Sequence, residues 1–133
     1  GMGFYKKGPL LKLILPNGRE LSYVKPAIVD DSITYEGTLQ SSGAWGRIES
    51  YGPKLVENIV QATARDCLAV AIDRLENAGF PVVFHVHDEV ICEVPNNVSS
   101  AKELGAIMSE PIDWAPGLPL RADAYECEYY RKD

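Results

Sequence analysis

Cysteine, histidine and positive charge are all scarce in this sequence of 133 residues. The three cysteines, Cys67, Cys92 and Cys127, are odd in number and have no CxxC spacing. This pattern argues against a disulfide framework and against a structural zinc site. A reducing cytoplasm is the simple interpretation of such cysteine usage.

Long apolar segments are also lacking. No stretch approaches the roughly 20 apolar residues of a membrane span, and the short run that follows Lys6 and Lys7 breaks at residues 16–18. We therefore expect neither a signal peptide nor a membrane partner. Gly1 ahead of Met2 indicates a tag remnant. Hydrophobic residues form 46% of the chain, and its length predicts one domain over residues 1–133.

The charge balance opposes free-standing binding to nucleic acid. The chain has 13 Lys and Arg against 19 Asp and Glu, a formal net charge of −6. Protein surfaces that hold DNA need lysine and arginine to neutralise phosphates. A DNA-binding role therefore requires that the chain be part of a larger enzyme whose basic surfaces lie elsewhere.

The sequence does contain strand, turn and helix signals in a clear order. Predicted strands cover residues 10–15, 21–24, 33–36, 81–86, 90–94 and 120–126, with loops or turns at 16–19, 41–46, 87–89 and 111–119. Asn17-Gly18 favours a tight hairpin with positive φ angles. A short helix capped by Ser99 or Ser100 should end at Met108. This order predicts an α+β fold with an antiparallel sheet, one long helix and a shorter helix.

The long helix should begin near Gly52-Pro53 and end at residues 77–79, where glycine suits a C-terminal cap. Helical spacing predicts two different faces. The predicted core stripe consists of Val60, Ala64, Cys67, Leu68, Ala71 and Leu75. The predicted polar stripe consists of Lys54, Glu57, Asn58, Gln61 and Arg65.

The most informative feature is a predicted hairpin with Asp88 and Glu89 at its turn. Carboxylates held on a rigid turn are what hard cations such as Mg²⁺ need, and two such ions can activate a hydroxyl and stabilise a leaving oxygen. Acidic residues are nevertheless common at turns simply because they are solvated. His85 and His87, one residue apart, also permit a His-x-His-Asp metal hydrolase, although such sites usually need further histidines.

Three ordered segments extend this motif. Residues 84–94 read FHVHDEVICEV, residues 51–66 read YGPKLVENIVQATARD, and residues 114–123 read WAPGLPLRAD ahead of a tyrosine-rich end at 125–133. The first resembles motif C of family A DNA polymerases, in the palm domain, and the others resemble the phage and prophage branch of that family. The likeness covers the chain from about Leu10 onward.

The resemblance implies a role for each matching residue. Asp88 would coordinate the catalytic metals, Glu89 would be a second catalytic and metal-binding carboxylate with a smaller, supporting role, and His87 would lie near the primer end. Gln61 would contact the primer–template minor groove, which offers similar acceptors at every base pair. Lys54 and Arg65 would reach the DNA backbone, with a solvated lysine and a helix salt bridge as the respective alternatives.

Two further positions are less directly matched. Asn58 is a polar candidate for DNA contact beside Glu57, which stands where bacterial members of the family carry an asparagine. Arg47 is predicted to lie in the loop before the helix. The implied cofactor is Mg²⁺ in a two-metal site, and the implied partners are primer–template DNA and a deoxynucleoside triphosphate in a bacterial or phage-infected cytoplasm.

The rest of the family's catalytic centre is missing from the chain. No Asp-Tyr-Ser-x-x-Glu-like motif A occurs, Asp30-Asp31-Ser32 lacks the pattern that would follow, and no motif B helix is present. The resemblance therefore implies a nucleotidyltransferase piece that is inactive alone. A fragment of a longer protein, one half of a split polymerase and a decayed prophage product all agree with this. The alternative is a non-catalytic module for association or DNA docking, and open palm surfaces would favour self-association.

Overall fold

The computed structural model describes residues 1–98 and 100–131, so the Ser99 alternative for the helix cap and the last two residues of the tyrosine-rich end lie outside it. The chain forms two compact units: Gly1–Thr63, and a second that begins at Ala64. One domain over residues 1–133 stays a prediction. No described helix combines the length and apolar character needed to cross a membrane.

The first unit is a five-stranded antiparallel sheet in sequential order. Its strands are β1 (Gly3–Lys7), β2 (Leu10–Ile14), β3 (Glu20–Val29), β4 (Ser32–Thr38) and β5 (Trp45–Ser50). The sequence predicts the second, third and fourth of these but misses β1, and it places the start of β5 in a loop. The antiparallel α+β class is confirmed.

The register gives this sheet one apolar and one charged face. Leu13 pairs with Leu21, and Leu11 pairs with Tyr23; because side chains alternate along a strand, these four residues share a face. Tyr23 also meets Tyr35 of β4 edge-on, with ring centroids 5.1 Å apart. On the opposite face Lys12 contacts Ser22 and Glu20. The sheet is therefore amphipathic, with its core on the leucine and tyrosine side.

The predicted turn between β2 and β3 forms, but with a different conformation. Gly18 has φ +87°, whereas Asn17 is not among the residues with positive φ. Instead, the Asn17 Oδ1 accepts a hydrogen bond of 2.9 Å from the Arg19 amide. The asparagine thus acts through its side chain, as turn asparagines often do, and only the glycine occupies the left-handed region.

One long helix, α1 (Gly52–Asn77), begins and ends where the sequence predicts. At its C-terminal end the Phe80 amide donates to the Leu75 carbonyl, and the Gly79 amide donates to the Glu76 carbonyl. Gly79 has φ +86°. This is the paired hydrogen-bond pattern by which a left-handed glycine closes a helix. The boundary between the two units falls inside α1.

The core stripe predicted along α1 is only partly correct. Leu68, Ala71 and Leu75 are buried, and Cys67 is half-buried. Val60 is 61% exposed, and Ala64 is exposed as well. The half-buried residues nearer the start of α1 are Leu55, Asn58, Ile59, Ala62 and Thr63. The stripe that the helix buries therefore shifts between its two ends, because each end belongs to a different unit.

The second unit contains an antiparallel hairpin and a short helix. The hairpin consists of β6 (Val82–Val86) and β7 (Glu89–Cys92), and the helix is α2 (Ala101–Met108). Its buried apolar side chains are Leu68, Ala71, Leu75, Phe80 and Ile112. Arg74 holds the segment after α2, since its guanidinium donates to the Glu110 and Pro111 carbonyls at 2.8 Å each.

The predicted last strand, residues 120–126, is wrong. This segment is irregular and has no strand partner among the described residues. Two of its groups contact α2 instead. The Ala122 amide donates to Ser109 Oγ at 3.0 Å, and Glu126 Oε1 accepts hydrogen bonds from the Ser100 and Ala101 amides. A distant segment thus supplies the acceptor for the amides at the start of α2 and also contacts the serine at its end.

The predicted Ser100 cap is also wrong in its chemistry. Ser100 occupies the cap position, but its hydroxyl makes no capping hydrogen bond. The Glu126 carboxylate takes that role, and a negative charge is favoured at a helix N-terminus by the aligned peptide dipoles. The helix therefore begins where expected, but the residue that caps it is distant in sequence.

The glycine that closes α1 provides a test of this fold. Gly79→Ala should lower the free energy of unfolding by about 1 kcal/mol, because alanine resists a positive φ. Gly52→Ala is the matched control, since an added Cβ meets no described atom within 4 Å at either position and only Gly79 has positive φ. Urea unfolding of both variants measures the difference. Equal losses in the two would contradict the assignment.

Candidate functional site

The tip of the β6–β7 hairpin carries the acidic pair. Val86 pairs with Glu89, so the turn consists of only His87 and Asp88. His87 has φ +52°, a left-handed conformation in which histidine is found more often than most residues. Asp88 is exposed at the tip, whereas Glu89 is half-buried as the first residue of β7. The predicted three-residue turn is thus a two-residue turn.

The two carboxylates have different surroundings. Phe84 pairs with Ile91, and Val86 pairs with Glu89, so by alternation Phe84 and Glu89 lie on the same face of the hairpin. Tyr130 contacts both residues. Its hydroxyl donates to Glu89 Oε2 at 3.2 Å, and its ring meets Phe84 edge-on at 5.1 Å and 75°. The Glu89 carboxylate is therefore engaged by a side chain from the end of the chain.

Sequence reasoning missed Tyr130. Desolvation and the hydrogen bond to Glu89 raise the pKa of its hydroxyl above the ordinary tyrosine value, which means that it stays protonated and able to donate. Tyr130 is 41 residues from Glu89 along the chain. Its only signal is the aromatic pair Tyr129-Tyr130 within an otherwise polar end.

The described residues do not form a complete metal site. No group of three or more His, Cys, Asp or Glu side chains within residues 1–98 and 100–131 is arranged to hold an ion. Mg²⁺ prefers octahedral oxygen coordination and commonly takes one or two carboxylates along with several waters. Asp88 suits such a role at an exposed turn, while Glu89 already accepts a hydrogen bond from Tyr130. The turn supplies part of a metal site at most.

The histidine alternative finds little support in this geometry. Alternation along β6 ends at Val86, because His87 lies in the turn with a positive φ. The spacing of one residue would place His85 and His87 on the same side of a strand, but His87 does not belong to the strand. Both imidazoles are exposed, and the part of the chain that is described offers them no third ligand.

In the first unit, the polar residues predicted for DNA contact largely bind one another. Glu57 accepts hydrogen bonds from Lys54 Nζ at 2.9 and 3.0 Å and from Gln61 Nε2 at 3.1 Å. The hydrogen bond and the charge of Glu57 raise the pKa of Lys54. All three side chains are exposed, where such pairs contribute only about 0–1 kcal/mol. They remain available to another partner at small cost.

Asn58, Arg65 and Arg47 differ in how far they are already engaged. Asn58 is half-buried, and its amide donates to the Tyr23 hydroxyl at 3.2 Å. Arg65 is exposed, with no ion pair to any described residue. Arg47 lies in β5 rather than in a loop, where it donates to the Lys25 carbonyl and to Thr34. Asn58 and Arg47 are thus already engaged, whereas Arg65 is a cation without an ion pair to a described residue.

Comparisons with known proteins relate the chain to a phage DNA polymerase. No family model matches the chain, and no solved structure matches it. The chain is similar over its whole length to the DNA polymerase of Bacillus phage SP02, with 51% identity over 139 aligned residues. It spans 21% of the length of that polymerase, so the likeness is to one segment of a much longer protein.

Proposed function

We propose that the chain is a segment of a family A DNA polymerase, the part of the palm that carries motif C. The observation that carries this proposal is the two-residue hairpin turn that presents Asp88 in a His-Asp-Glu sequence. The 51% identity to a phage DNA polymerase supports it. The reaction is transfer of a nucleotide from a deoxynucleoside triphosphate to a primer 3′-hydroxyl by a two-metal mechanism.

Within that proposal the residues have separate roles. Asp88 would be this chain's ligand to the catalytic Mg²⁺ ions, with His87 close to the primer end and Glu89 in a supporting position. Gln61 would donate to the minor groove, and Arg65 and Lys54 would lie near phosphates. Because the motif A and motif B residues are not in this sequence, a longer chain or a second chain must supply them.

A non-catalytic module for association or DNA docking is the second candidate. One observation favours it: Glu57 and Tyr130 already engage side chains that a working site would use. Apolar residues such as Val60 and Ile28, 61% and 77% exposed, would then be contact surfaces, and self-association would follow.

The chain alone should not extend a primer, since one carboxylate turn cannot hold two metal ions against their hydration. A primer-extension assay with the purified 133-residue chain measures this. The positive control is a chimera in which this chain replaces the matching segment of the SP02 phage polymerase. Template-dependent extension by the chain alone would contradict the expectation.

The same chimera tests Asp88 directly. Asp88→Ala should lower its primer-extension rate by at least about a hundredfold, because metal stabilisation of the reacting charges is worth several kcal/mol. Asp73→Ala, at an exposed aspartate of α1 in the same unit, is the matched control and should change the rate little. A folded chimera that extends primers equally well with Asp88→Ala would overturn the metal role.

A further inference from the structure

Residues 125–131 form a loop whose first and last residues contact each other. The Tyr125 hydroxyl donates to the Arg131 carbonyl at 3.0 Å, and the Arg131 guanidinium lies 5.8 Å from the centre of the Tyr125 ring. Such cation–ring contacts are attractive because the ring face is negative. Tyr130 is therefore presented from a segment whose two ends are tied together, which reduces the number of positions its side chain adopts.

Tyr130 uses both parts of its side chain on the hairpin. The ring packs edge-on against Phe84 of β6, and the hydroxyl donates to Glu89 of β7. The ring contact restrains the position of Tyr130 on Phe84, while the hydroxyl bonds to one oxygen of the Glu89 carboxylate. A phenylalanine would reproduce the first contact and lose the second, so the two contributions are separable.

We propose that Tyr130 is a positioning residue that gives the two turn carboxylates different roles. It holds Glu89 on the hairpin face and leaves Asp88 as the carboxylate that binds a divalent cation. This rests on the proposed polymerase function. Glu89 then acts as the anchor for the segment 125–131 rather than as a metal ligand. Asp88 is exposed at the tip, while Glu89 is half-buried and hydrogen-bonded to Tyr130, so Asp88 is the carboxylate ligand that the turn offers.

These different roles follow from competition for the Glu89 carboxylate. The Tyr130 hydroxyl donates a hydrogen bond to Glu89 Oε2 at 3.2 Å. A cation that binds Glu89 through Oε2 must displace that hydrogen bond, and one that binds through Oε1 must accept the carboxylate orientation that Tyr130 sets. A cation that binds Asp88 displaces only water. Removing the Tyr130 hydroxyl should therefore turn Glu89 into a second ligand.

The test is a double-mutant cycle on the 133-residue chain. Mn²⁺ alone is the probe, and its dissociation constant at the turn is measured from paramagnetic broadening of amide signals at residues 86–90. Asp88→Asn should weaken binding by at least about tenfold, since carboxylate oxygen is the ligand such ions prefer. Glu89→Gln should change it by less than about twofold while Tyr130 is present, because the hydroxyl engages one carboxylate oxygen and holds the group on the hairpin face.

In the Tyr130→Phe background, Mn²⁺ binding should become sensitive to Glu89→Gln. There Glu89→Gln should weaken Mn²⁺ binding by about threefold or more, the factor that corresponds to one net hydrogen bond. Tyr129→Phe, at a neighbouring tyrosine that is 73% exposed, is the matched control and should leave Glu89→Gln without effect. A purely structural role for Tyr130 predicts that Tyr130→Phe behaves as wild type.

Two results would overturn the proposal, and they differ in what else they overturn. If Glu89→Gln weakens binding as much as Asp88→Asn with Tyr130 intact, Glu89 is an ordinary ligand and only the assignment of different roles fails. If no variant binds Mn²⁺ at the turn, the metal role in the proposed function fails as well. The carboxyl ¹³C shift of Glu89, measured without metal, should move in Tyr130→Phe and not in Tyr129→Phe. An unchanged shift counts against the Tyr130 contact itself.

Discussion

The closure of the β6–β7 hairpin by only two residues is the constraint on which the candidate site depends. Because Val86 pairs with Glu89, the backbone must reverse within His87 and Asp88, and His87 accepts a left-handed conformation to do so. A non-glycine residue there costs on the order of 1 kcal/mol. The same reversal places Asp88 at the exposed tip and returns Glu89 to the sheet face. Adjacent carboxylates thereby acquire unlike environments.

An acidic chain can take part in DNA binding only if its few cations are not all used internally. Lys54 contacts Glu57, Lys12 contacts Glu20, and Lys25 with Arg47 surrounds Glu36. These pairs lie at the surface with partners that are exposed or partly exposed. Surface pairs are weak and weaken further with salt, so a phosphate can replace a carboxylate at small cost. In the proposed polymerase, a net charge of −6 would leave most of the phosphate neutralisation to other parts of the enzyme.

Much of the secondary structure could be predicted because its causes are local. Pro53 and Gly79 mark the ends of α1, and β-branched residues mark β6. The predictions failed where contacts between residues distant in sequence determine the structure. Residues 120–126 have strand-like composition, yet their amide and carboxylate groups bond to α2. The buried stripe of α1 shifts along its length because its two ends belong to different units. Tyr130 could not be found from sequence because no periodicity links it to Glu89.

Contacts from outside the hairpin fix the position of the turn that carries Asp88 and Glu89. A two-stranded hairpin is marginally stable in water by itself, and β7 has only four residues. The Glu76 carboxylate near the end of α1 accepts the Val82 amide at 2.7 Å and so fixes the base of β6. Tyr130 packs on Phe84 and fixes the face nearer the tip. Helix end, hairpin and final segment must therefore fold together before Asp88 has a defined position. These contacts hold Asp88, the proposed metal ligand, in place although the described residues form no complete metal site.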